Sequence, residues 1–95
     1  MHGFPIGIYR VAERSMEPSI KEGSYLIVNR WFTSLSVNDV VLARGINGIT
    51  MVKRVKKIKK DRLYLLGDNQ SESVDSRKFG WIRRERVFGK IISVV

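Results

Sequence analysis

Apolar residues in this chain come in short clusters rich in Val, Ile, Leu and Tyr, broken by Gly, Asn, Asp and Ser, and no long stretch keeps helical period. Short β-branched and aromatic runs bounded by turn residues fit half-buried strands, not helices. The pattern predicts a mainly β fold of short antiparallel strands over residues 7–12, 24–29, 39–43, 49–59, 62–66 and 87–94. Turn chemistry sets several boundaries. Asn47-Gly48 between two apolar segments is a hairpin signal, Lys60-Asp61 marks a second tight reversal, and Val37-Asn38-Asp39 precedes a strand. One short helical turn is expected over Ser19, Ile20, Lys21 and Glu22. Ser and Glu stand three apart there, as in a capping box, and Gly23 follows as a stop.

A chain of 95 residues builds one core, so a single domain over 1–95 is expected. Hydrophobic residues make up 43%, enough to argue against disorder. Having no cysteine excludes disulfides, thiolate nucleophiles and Cys-based metal sites, and a lone His2 supplies neither a His-rich metal site nor an ordinary Ser-His-Asp triad. No metal or cofactor is expected, and a hydrolase built on this sequence needs another base. The formal net charge of +9 points to anionic company, with much of it in residues 53–60 and 77–86. No run approaches the ~20 apolar residues of a membrane-spanning helix, and residues 4–9 are too short for a signal-peptide core. The expectation is a soluble chain, cytoplasmic or peripheral to a membrane, or else the catalytic part of an anchored parent.

Two residues carry candidate chemistry. Ser15 lies between a strand and the expected helical turn, where a hydroxyl can be presented; without an activating base such a serine is ordinarily a cap. Lys53 is the candidate base. Period-2 alternation puts Met51, Lys53 and Val55 on one strand face and Val52 and Arg54 on the other. A lysine on a buried face loses hydration, which disfavours its ammonium and leaves a free amine able to take a serine proton. The alternative is an exposed strand lysine, which is how Lys56, Lys57, Lys59 and Lys60 read. The polar stretch 68–78 is long for a structureless loop in a compact domain.

Ser15-Met16-Glu17-Pro18, then Lys53-Arg54-Val55, then Gly67-Asp68-Asn69 with Ser73, Asp75-Ser76-Arg77 and Phe79-Gly80, resembles the motif series of type I signal peptidases. Gly23 and Asn38-Asp39-Val40-Val41 fall in register between the motifs, so the resemblance runs from about Val11 to Gly89. It implies a Ser-Lys dyad serine endopeptidase with a small signal-peptidase/LexA-like β core. Such an enzyme cuts a signal or leader peptide after small residues in an extended protein substrate. By the resemblance Ser15 is the nucleophile and oxyanion donor through its backbone N–H, Lys53 is the general base, and the Ser73 hydroxyl orients the lysine amine. Asp75 and Arg77 form an ion pair with Asp68 nearby, supporting the loop. The substrate would lie between residues 10–13 and 49–52, adding a strand.

Glu13 departs from the family pattern, since a serine or small residue there usually lends a second oxyanion donor. A carboxylate would repel the oxyanion, so Glu13 is expected to point away. The chain also resembles small leader-trimming maturation proteases, among them those similar to the enzymes that process nickel superoxide dismutase. Trp31-Phe32 and Phe79-Gly80-Trp81-Ile82 either rest on an anionic membrane surface or fill the core. Two rivals are a self-cleaving LexA-like domain, against which the Gly67-Asp68-Asn69 block argues, and a basic β-barrel that binds nucleic acid. The second leaves the ordered Ser, Lys and loop motifs unexplained, so no nucleic-acid partner is expected.

Overall fold

The computed structural model describes residues 5–95, so His2 and the start of the 4–9 stretch lie outside the described residues. Among the described residues the strands are β1 (Ile6–Arg10), β2 (Tyr25–Asn29), β3 (Val40–Arg44), β4 (Thr50–Lys59), β5 (Arg62–Leu66), β6 (Ile82–Arg83) and β7 (Val87–Val94), with one α-helix, α1 (Ser76–Phe79). Six of the seven match the expected strands to within about two residues at each end; the two-residue β6 carries too little pattern to be read from sequence.

All seven join one antiparallel sheet in the order β1-β2-β7-β3-β4-β5-β6. The C-terminal β7 sits between β2 and β3 and ties the N-terminal hairpin to the rest. Register shifts interrupt the ladders at Ile27/Val28, Leu42/Ala43 and Val55/Lys57. Such bulges bend strands and raise their twist, which curls the sheet.

Two apolar clusters follow from that curl. One gathers Val11, Met16, Ile20, Leu26, Val28, Leu42 and Val52; the other gathers Val41, Ala43, Val55, Leu63, Leu65, Ile82 and Val87. Adjacent residues of β3 and β4 therefore bury on opposite sides: Leu42 pairs with Val52 in the first cluster, while Val41 pairs with Lys53 beside the second. The alternation expected for Met51, Lys53 and Val55 is what places the lysine there. The aromatic segments divide: Phe32 and Phe79 pack against the second cluster, whereas Trp31 and Trp81 are exposed.

The expected turns form where their residues allow. Asn38, Gly48 and Lys60 all have positive φ, and Gly45 N–H bonds the Ile49 carbonyl to close the β3–β4 hairpin. The helical turn expected at Ser19–Glu22 does not form. The chain instead turns over residues 15–19, with Ile20 N–H bonding the Met16 carbonyl at 2.9 Å. Ser19 is taken up as the last residue of that turn and so does not stand ahead of one as a cap. The helix lies in the 68–78 stretch, where the Asp75 side chain caps it by accepting Arg77 N–H.

Candidate active site

Two loops and one strand converge on the candidate site. Met16, 1% exposed, anchors the first loop in the first cluster and so fixes its neighbour Ser15, also 1% exposed. A second anchor comes from the Gly67-Asp68-Asn69 segment. Asn69 N–H donates to the Ser15 carbonyl at 2.8 Å, and the Asn69 side-chain amide donates to the Arg14 carbonyl at 3.1 Å. Gly67 is required at this crossing, because a Cβ there would fall 2.6 Å from the Ser15 carbonyl oxygen and would collide with the Ser73 hydroxyl. Neither Gly67 nor Asn69 was singled out individually from the sequence, although both sit in the motif that carries the resemblance.

Lys53 enters from β4 and is 2% exposed. Its Nζ donates to Ser73 Oγ at 3.1 Å, and Ser73 Oγ donates onward to Asp75 Oδ2 at 2.7 Å. Desolvation lowers the proton affinity of the amine below that of a free lysine; Glu13 and Asp75 oppose the shift and Arg77 adds to it. Asp75 is fully buried. Burial alone would raise its pKa, but hydrogen bonds from the Arg77 guanidinium, Gly67 N–H, Ser73 Oγ and Arg77 N–H hold it well below the usual carboxylate range. Arg77 approaches to 2.6 Å, so the Asp75–Arg77 pair exists as expected, with its carboxylate in the interior and not in solvent. Asp68 makes a separate pair: Arg54 Nε and Nη2 reach its two oxygens at 2.9 and 2.8 Å, keeping its carboxyl below the ordinary range.

Glu13 overturns the expectation that it points away. Its Oε1 accepts the Ser15 hydroxyl at 2.8 Å, lies 3.4 Å from Val52 N–H and stands 3.8 Å from Lys53 Nζ. With the Lys53 ammonium, the Ser15 hydroxyl and an unpaired backbone N–H close by, an inward carboxylate replaces its hydration with three donors. Repulsion of an oxyanion belongs to a later reaction state, whereas the donors gathered in the resting site decide where the carboxylate lies. Ser15 and Lys53 are thus brought to one oxygen atom, and the Ser15 hydroxyl also lies 3.4 Å from the Val52 carbonyl.

Beside these residues opens an apolar cavity of about 410 Å³. Ile49, Met51, Val74, Phe79 and Ile82 form its apolar wall, and Glu13 and Lys53 border it. The described residues hold no cluster of His, Cys, Asp or Glu suited to a metal. A buried amine with lowered proton affinity, held by a neutral hydroxyl near a serine, can accept that serine's proton without a metal or an imidazole.

The family model for peptidase S24-like proteins matches residues 2–92. The chain belongs to this family. Membership agrees with the curled antiparallel sheet and carries serine-peptidase-type activity at the level of the family, which also includes LexA-type repressors. No curated protein matches the chain. Within this domain Lys53 Nζ meets Ser73 Oγ, and Ser15 Oγ meets the same Glu13 oxygen that Lys53 approaches. No described helix is long and apolar enough to cross a membrane.

Proposed function

We propose that this peptidase S24-like protein is a serine endopeptidase in which a Ser15–Lys53 dyad removes a signal or leader segment after small residues of an extended protein substrate. The observation that carries the reading is the buried Lys53 amine, 3.1 Å from Ser73 Oγ and with its proton affinity lowered by desolvation. Neutral Lys53 takes the Ser15 hydroxyl proton as Oγ attacks the scissile carbonyl. The Ser15 backbone N–H stabilises the oxyanion. As the tetrahedral intermediate collapses, the C–N bond breaks, the Lys53 ammonium returns its proton to the leaving amine, and Ser15 is left acylated. Water, deprotonated by the same lysine, hydrolyses the ester. Ser73 keeps the amine aimed without adding a charge that would hold the proton on it, while Asp75, Arg77 and Asp68 support the loop.

Substrate is expected as an extended chain along β4, because β5 pairs with β4 only from Arg54 onward and leaves residues 50–53 without a ladder partner on that side. Leader peptides carrying Ala-X-Ala sites are the first substrates to test. Cleavage by wild type, with a loss of at least about a thousandfold in kcat for Ser15→Ala and Lys53→Ala, is the expected outcome. The acid limb of the pH profile should fall below the ~10.4 of a free lysine. Cleavage unaffected by either substitution overturns the reading.

Membership in a family that includes LexA-type repressors supports a second reading, self-cleavage. Intact mass after incubation of the protein alone at alkaline pH separates the two, since self-cleavage needs no added peptide. For partners, we propose that the exposed Trp31 and Trp81 and the net charge of +9 also suit an anionic lipid surface. Co-sedimentation with phosphatidylserine vesicles, abolished by salt, tests that expectation.

A further inference from the structure

Val52 stands on the free side of β4 beside the candidate nucleophile. Its two main-chain polar groups face side chains of the nucleophile loop: Glu13 Oε1 lies 3.4 Å from its N–H, and the Ser15 hydroxyl lies 3.4 Å from its carbonyl. An extended peptide adding to this edge would use the same two groups, its own carbonyl accepting from Val52 N–H. Glu13 therefore occupies the position of a substrate carbonyl. It is also well placed to leave. Its side chain is 38% exposed, against 2% for Lys53, and two of its three contacts are long.

We propose that Glu13 is a displaceable stand-in for the substrate main chain, one that caps the β4 edge at Val52, ties up the Ser15 hydroxyl and pairs with Lys53 until an extended peptide takes its place. The inference rests on the dyad reading above and adds how that dyad is held at rest. Displacement has two consequences. The Ser15 hydroxyl loses a carboxylate acceptor and can turn to Lys53. The amine loses a negative neighbour 3.8 Å away and releases its proton to solvent at lower pH. The charged groups that act on Lys53 are Glu13, Asp75 and Arg77, and Tyr9 also feels Glu13. Asp75 stays in place when substrate arrives, because its buried carboxylate is held by Gly67 N–H, Ser73 Oγ and the Arg77 guanidinium, and it keeps Arg77 with it. Glu13 is the member of the set that can change.

Two variants and two readouts test this. Glu13→Gln keeps the shape and removes the charge; Glu13→Ala also frees the β4 edge. The Lys53 side chain is followed by carbon NMR titration in the free protein, a measurement independent of any activity. Its midpoint should fall by about one pH unit or more in both variants. With an Ala-X-Ala leader peptide, kcat/KM at pH 7 should rise about tenfold for each unit by which the midpoint falls. The acid limbs divide further. In wild type the limb of kcat/KM, which reports the free enzyme, should lie above that of kcat, which reports the complex, and in Glu13→Gln the two should converge. An unchanged Lys53 midpoint in both variants, or a kcat/KM at pH 7 no higher than wild type, overturns the stand-in role. Failure of the dyad reading itself is recognised separately, by cleavage that survives Ser15→Ala and Lys53→Ala.

Discussion

Two carboxylates flank Lys53. Asp75 is fully buried, reaches the amine through Ser73, and receives donors from Arg77, Gly67 and Ser73. Glu13 is more than a third exposed and rests on one short hydrogen bond and two longer contacts. A negative charge near a catalytic lysine raises its proton affinity and so works against the base. The fold tolerates Asp75 because the carboxylate is neutralised by Arg77 and separated from the amine by a hydroxyl. Glu13 has no such screen, and exposure lets it move. One carboxylate builds the site and the other closes it.

If Asp75 is structural, Asp75→Ala should give the largest effect. It strips a buried Gly67 N–H of its acceptor and breaks an ion pair whose acidic member is in the interior. Together these cost about 3–5 kcal/mol, a large share of the ~5–15 kcal/mol of a typical domain. Urea denaturation at pH 7 measures it. The pH dependence has a definite sign. The folded-state pKa of Asp75 is depressed, so its stabilisation is fully present above the unfolded value of ~3.9 and is lost as pH falls through the folded one. The gap between wild type and Asp75→Ala should therefore be constant from pH 7 to about 5 and narrow below ~4. A gap that narrows between pH 7 and 5 would mean that another group carries it.

Gly67→Ala should be the next largest. The added methyl meets the Ser73 hydroxyl and the Ser15 carbonyl, both fixed by hydrogen bonds, and forcing them apart costs about 1–3 kcal/mol. Since the same methyl pushes Ser73 off the amine, kcat should fall more than KM rises. Equal stability and kcat in this variant would show that the crossing is looser than the distances imply.

How far the site was legible follows from the range of each signal. Strand alternation is local and put Lys53 on the side of Met51 and Val55, but the resemblance singled it out from an exposed strand lysine, and only Val41 across the ladder completes its burial. The hairpins were readable because Asn47-Gly48 and Asn38 carry their own φ preference. Ser73 and Asp75 came only through the family resemblance, since nothing near them in sequence marks that Ser73 bonds a lysine 20 positions away or that Asp75 bonds Ser73 from the interior. The missed helix at Ser76–Phe79 is four residues long, too short for periodicity, and its signal was the cap Asp75, two positions before Arg77. Glu13 was misjudged because its partners are non-local. The N–H of Val52 is 39 residues distant, and only the topology shows that β5 leaves it uncovered.

The smallest effect is expected at the third carboxylate, Asp68, which sharpens the contrast because it belongs to the same loop as Asp75 but does not face the amine. Arg54 clasps it at 2.8 and 2.9 Å and also donates to the Asn38 carbonyl, so the pair links β4 to the turn before β3. Both partners are partly solvated, at 24% and 18% exposure, and such a pair contributes about 1 kcal/mol. Asp68→Asn keeps the shape and removes the charge, so the loss should be no more than that in urea denaturation. Asn69, the next residue, holds the Ser15 carbonyl, so loosening the clasp should slow cleavage a few-fold by letting the nucleophile loop drift. No Asp68 charge bears on Lys53, which responds to Glu13, Asp75 and Arg77. The acid limb of kcat/KM in Asp68→Asn should therefore coincide with wild type. A shifted limb would mean that the loop sets the lysine's proton affinity by its position as well as by its charges, and the division between Asp75 as frame and Glu13 as gate would need Asp68 as a third term.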